Sequence, residues 1–106
     1  MALAETSFVD KCEVVSAAST YCTNNQKVIT ILIRRADIIE KDGVEIARSY
    51  HRHCINAGTV GIGTSLVPTN ISGEEPIVQS VANAVWTADA KEAYRAYLVG
   101  IRSESL

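Results

Sequence analysis

The feature that most constrains this chain is Asp42-Gly43, set between two long runs of β-forming residues. Residues 27–41 read Lys-Val-Ile-Thr-Ile-Leu-Ile-Arg-Arg-Ala-Asp-Ile-Ile-Glu-Lys, and residues 44–56 read Val-Glu-Ile-Ala-Arg-Ser-Tyr-His-Arg-His-Cys-Ile-Asn. A tight hairpin turn needs φ > 0 at its centre, where Gly is free and Asp tolerant, so this pattern predicts one long antiparallel hairpin. Its register stays open. A two-residue turn sets Ile39 against Ile46, Asp37 against Arg48 and, unfavourably, Glu40 against Glu45. A three-residue turn with a bulge at Gly43 avoids that like-charge pair.

The strand over 28–40 is apolar on both parities as far as Ile33: Ile29, Ile31 and Ile33 on one face, Val28 and Leu32 on the other. Such a strand is covered on both sides, either within the chain or by a partner. We therefore take Ile29, Ile31, Ile33, Arg34, Arg35 and Tyr50 as candidate interface residues and expect a homo-oligomer.

Around the hairpin the chain divides simply. Residues 1–8 read as a lead-in, 9–15 as an edge strand and 16–26 as a polar connection, with Tyr21-Cys22-Thr23 a candidate extension of the strand. Residues 57–75 form a Gly-punctuated loop, with short strands expected at 59–62 and 65–67. Pro76 suits the first position of a helix whose apolar stripe is Ile77, Val78, Val81, Ala82, Val85 and Trp86. Thr87 caps a second helix with the stripe Ala90, Ala93, Tyr94, Tyr97, Leu98 and Ile101, and Gly100 is its expected terminator.

The fold expected is α+β in a single domain of 106 residues. A β-rich meander (1–56) and the loop (57–75) precede two short C-terminal helices (76–102). An apolar share of 47 % is ordinary for a globular chain, while a net charge of −2 argues against general affinity for nucleic acid or anionic membrane. The first residues lack the basic and apolar regions of a signal peptide, and no apolar run approaches a bilayer span, so synthesis in a reducing cytoplasm is expected. Cys12, Cys22 and Cys54 are then reduced thiols packed as small hydrophobes, with a Cys12–Cys22 bridge as the alternative.

Few residues suggest chemistry. His51 and His53 alternate on one strand and point to one face, so both imidazoles could reach one metal ion, but two ligands make a tight site only when an oligomer multiplies them. Cys54 beside His53 is no thiol–imidazole pair, because neighbours on a strand face opposite ways. Gly61-Ile62-Gly63-Thr64 lacks the Lys and the spacing of a phosphate-binding loop. Arg34, Arg35, Arg48 and Arg52 with Tyr50 could contact single-stranded nucleic acid, an unfavoured reading for an acidic chain with so few aromatics. No catalytic residue and no cofactor is expected.

Three stretches carry a resemblance: Asp10-Lys11-Cys12-Glu13-Val14-Val15, residues 41–53 from Lys41-Asp42-Gly43 to His51-Arg52-His53, and Ser72-Gly73-Glu74-Glu75 with Val85-Trp86-Thr87. Together they resemble small proteins encoded among the virion genes of tailed bacteriophages, many from aquatic hosts including cyanobacteria. This chain differs in a longer 58–70 stretch and in Ala88, where Pro is common. The resemblance implies a non-enzymatic virion component, tail- or fibre-associated or capsid-decorating, made in the host cytoplasm and partnered by itself and other virion proteins. The alternatives are a small nucleic-acid-binding regulator and a metal-stabilised oligomer built on His51 and His53.

Overall fold

The computed structural model describes residues 2–22 and 26–104. Three long strands form an antiparallel sheet in the order β1 (Leu3–Ala17), β2 (Val28–Lys41), β3 (Val44–Ile55). A small ribbon, β4 (Gly58–Val60) with β5 (Leu66–Pro68), and two helices, α1 (Pro76–Val85) and α2 (Ala88–Glu104), complete the α+β fold. The strand expected at 9–15 is longer at both ends, and the lead-in is strand from Leu3 onward. Its residues alternate too little in polarity to be read as β; pairing with β2 over its whole length overrides that weak pattern. Tyr21 and Cys22 lie in a turn, and Thr23 falls outside the described residues.

The turn is the two-residue type, with φ of 52° at Asp42 and 83° at Gly43. Only the first pairs follow from it. Lys41 faces Val44 and Glu40 faces Glu45, then a bulge at Ile46 shifts the register so that Ile39 faces Ala47 and Ile38 faces Arg48. The bulge brings Arg48 onto the face of Glu45, and Arg48 Nε and Nη2 donate to the two Glu45 carboxylate oxygens at 3.0 and 2.7 Å. Thus the like-charge pair of Glu40 and Glu45 is tolerated because a guanidinium is folded onto it. Ala2 closes the arm by donating to Asp42 Oδ1 at 3.1 Å and accepting from the Asp42 N–H at 2.9 Å.

The core lies at one end of this sheet. Ile31 and Ile33 are buried with Val78 and Ala82 of α1, together with Ala57, Trp86 and Tyr94. Cys12, Val9, Ile29 and Ile55 pack around them. Alternate positions of β2 therefore face α1, and Trp86 fixes the helix corner by donating from Nε1 to the Ile29 carbonyl at 3.4 Å. The Thr87 hydroxyl caps α2 by accepting from the Ala90 N–H at 3.2 Å. Contrary to expectation, Gly100 does not end that helix, which runs to Glu104. Gly100 is there for space: a Cβ at this position would overlap the Tyr21 ring.

Beyond the core the sheet continues as a bare arm. The molecule measures 59 × 27 × 22 Å, with a radius of gyration of 17.9 Å against about 13 Å for a compact chain of this length.

Candidate assembly surface

Both faces of the arm are organised by side chains of the strands themselves. On the face away from α1, Phe8, Ala36 and Tyr50 lie side by side across the three strands. Ala36 is fully buried between them, although no helix covers it, while Phe8 and Tyr50 remain 39 % and 42 % exposed. The Arg34 guanidinium lies 4.3 Å from the Tyr50 ring centre, and that of Arg52 lies 5.7 Å away.

Arg34 is also tied down from the other side. A bulge in β1 at Asp10 turns that carboxylate toward Arg34, which donates from Nε at 3.0 Å and from Nη2 at 2.7 Å. The hydrogen bond from Arg34 holds the Asp10 carboxyl below its ordinary range. On the α1 face, the Ser7 hydroxyl and Arg35 both donate to Asp37, at 2.7 and 3.0 Å, and Ser7 and then Arg35 depress its pKa. Each bulge therefore carries a bidentate arginine–carboxylate pair, and the charges along the arm are largely spent within it.

The two free edges differ. β1 is interrupted mid-length by the Asp10 bulge, and its Val9 N–H donates to Glu75 at the start of α1, at 2.6 Å. A bulge plus a covering helix end is a common way of closing a sheet edge. Among the described residues nothing covers the edge of β3 in this way. Eleven of its twelve residues are exposed, and residues 47–55 pair regularly with β2 on one side only. Val44, Ile46 and Tyr50 along it are 65 %, 56 % and 42 % exposed.

The sequence-derived candidates fall into two groups. Arg34 and Tyr50 sit together on one face of the arm, and Arg35 lies on the opposite face with Asp37. Ile31 and Ile33, expected at an interface, are 0 % and 2 % exposed inside the chain's own core, with Ile29 partly buried beside them, so they are corrected to core residues. The cause is α1, which docks on that parity of β2. At the root the opposite parity lies open, with Leu32 42 % exposed and Cys54, expected in the core, exposed beside it; along the arm that same parity holds the buried Ala36 and Ile38.

His51 and His53 do lie on one face, ring centres 6.1 Å apart. His53 Nε2 lies 3.2 Å from a Glu74 carboxylate oxygen. No group of three metal-ligating side chains occurs among the described residues. The three cysteines are free thiols, and burial raises the pKa of Cys12, with Glu74 adding to it, which takes that thiol away from the reactive thiolate. Around the loop 61–64 the carbonyls of Gly61 and Gly63 accept from Arg102 Nη1 at 2.6 and 2.9 Å, and that of Thr64 from Arg95 at 3.2 Å. That loop presents oxygens to cations and is no anion cradle.

Sequence reasoning gave Asp10 and Phe8 no part in this surface, and placed Glu74 and Glu75 only at the start of the first helix. Glu75 holds β1 and Glu74 approaches β3, so the acidic pair before Pro76 spans the sheet at the root of the arm. The broken alternation at Val9-Asp10-Lys11 was the one available signal for the first of these. No described helix is long and apolar enough to cross a membrane. No protein-family model, curated protein or solved structure matches this chain.

Proposed function

We propose that this chain is a non-enzymatic structural component of a bacteriophage particle, acting by self-assembly and by docking to other virion proteins. The observation that carries the assembly half of this reading is the excess of bare surface. The chain exposes 6883 Å², against about 5,800 Å² for a compact monomer of 11.4 kDa. The excess of about 1,100 Å² is close to the ~800 Å² that one partner contributes to a standard interface. It comes from a long arm that reaches away from its own core, a shape suited to bridging neighbours. The phage origin rests on the resemblance of the motifs at residues 10–15, 41–53, 72–75 and 85–87. Mass spectrometry of purified particles tests it: the chain is expected as a stoichiometric band, and its absence from particles that are otherwise complete rejects the reading.

A nucleic-acid-binding regulator is favoured by one observation, the half-exposed Phe8 and Tyr50 on the same sheet face. Against it, Arg34 covers the Tyr50 ring, and Arg34 and Arg48 are already neutralised by Asp10 and Glu45. A regulator would bind oligonucleotides with an affinity that falls steeply with salt and weakens in Arg34→Ala or Arg35→Ala. The metal-stabilised oligomer is supported by the adjacent His51 and His53 rings. It requires a loss of thermal stability both with chelator and in His51→Ala.

A further inference from the structure

We infer that a second copy of this chain adds to the free edge of β3, antiparallel and about a twofold axis at His51, to give a continuous six-stranded sheet. This rests on the self-assembly part of the reading above and commits it to one edge, one partner and one register.

The edge follows from the contrast between the two outer strands. β1 is closed by its mid-strand bulge and by Glu75 on the Val9 N–H, whereas β3 keeps a regular, one-sided ladder over residues 47–55. A long edge of unpaired backbone groups is a template for another strand. Only an antiparallel partner brings the same edge of an identical chain onto itself, and the resulting contact closes as a dimer.

The register follows from charge and overlap. In such a sheet the twofold is perpendicular to it, so directly opposed residues point to the same side and the axis passes through a residue pair. Centred on Arg48, the pairing sets the two Arg48 side chains against each other. Centred on Tyr50, it sets Arg48 against Arg52 of the other copy. Both place like charges in contact, which is unfavourable. Centred on Ser49 it avoids that clash but runs the Ile46 bulge into the contact. Centred on His51, the whole regular segment 47–55 overlaps itself. Ala47 then faces Ile55 of the other copy, Arg48 faces Cys54, Ser49 faces His53, and Tyr50 faces Arg52. Arg52 has no carboxylate within ion-pair distance among the described residues, and its guanidinium stands 5.7 Å from its own Tyr50 ring where that of Arg34 stands at 4.3 Å, so Arg52 is the more loosely held of the two and can turn to the other copy's Tyr50, twice per dimer. Extended exposure of Tyr50 and Cys54 on that face is what this pairing would cover.

The test is a cysteine scan of the full chain in a Cys54→Ser background, read with the mass in solution. At about 50 µM, light scattering on a size-exclusion column is expected to give twice 11.4 kDa. Opposed residues in an antiparallel pair lie about 4.5–5.5 Å apart at Cα, within disulfide range. His51→Cys is therefore expected to form a covalent dimer under mild oxidation, and Ser49→Cys to remain monomeric on a non-reducing gel. Arg52→Glu, a change on an exposed side chain that leaves the core intact, is expected to raise the dimer dissociation constant about tenfold. A monomer at that concentration overturns the proposal, and so does cross-linking at Ser49 alone or equally at both positions. Either result leaves the particle measurement untouched, so failure here and failure of the virion reading are told apart.

Discussion

The root and the arm of the same sheet are built from similar strands and held by different forces. At the root, alternate residues of β2 meet α1, and Ile31, Ile33, Val78 and Ala82 are removed from water. Along the arm, ordering rests on the strand ladder, on Ala36 shielded by Phe8 and Tyr50, on Ile38 as the single large buried aliphatic among the described arm residues of β2, and on bidentate pairs such as Arg34–Asp10 and Arg48–Glu45. Apolar burial contributes about 25 cal/mol per Å², whereas ion pairs near the surface give little net stability, because water already solvates the separated charges. The root therefore carries the stability of the domain, and the arm is the part whose order depends on what it touches.

Substitutions at equivalent residue types break the comparison most directly. Ile31→Ala, in the root, is expected to cost about 2–5 kcal/mol by urea denaturation. Ile39→Ala, on the arm where Ile39 is 37 % exposed, is expected to cost under about 1 kcal/mol. Equal losses would mean that the arm is as deeply integrated as the root.

A smaller effect tests the packing of α2. Helix propensity alone predicts that Gly100→Ala stabilises by about 1 kcal/mol. The Tyr21 ring fills the space a Cβ would take, so a loss of about 1–3 kcal/mol is expected instead, relieved when Tyr21→Ala is added. Stabilisation by the single change would dismiss the contact.

The arm's ion pairs give a pH dependence. The carboxyls of Asp10, Asp37 and Glu45 are held below their ordinary values, by Arg34, by Ser7 with Arg35, and by Arg48 respectively. A carboxyl with a lower pKa when folded stabilises the fold above its unfolded value, and that contribution is lost as pH falls through the folded one. Melting temperature is thus expected to fall as pH drops below the ordinary carboxylate range of 3.8–4.5. Asp10→Asn should make this acid limb shallower, and an unchanged limb would remove Asp10 from the account. The smallest expected difference is in hydrogen exchange of the monomer, with β3 amides on the arm exchanging before those of β2 at the root. Protection of β3 that grows with concentration would sharpen the comparison by showing the edge being covered.

The sequence by itself determined the hairpin, the helix start at Pro76, the Thr87 cap and the α+β order. These are local: Gly43 is free at φ > 0, Pro fixes its own φ, and a hydroxyl reaches the N–H three residues on. Only the tertiary structure decided that the core parity of β2 at the root is that of Ile31 and not Leu32, both large aliphatics told apart by the docking of α1, and that burial passes to the other parity at Ala36 and Ile38. It likewise decided the slipped register at Ile46, the Asp10 bulge and the role of Gly100. The Asp10 bulge and the role of Gly100 depend on contacts between residues far apart in the chain, and the Ile46 slip on how Arg48 folds onto Glu45 across a turn; side-chain type alone records neither.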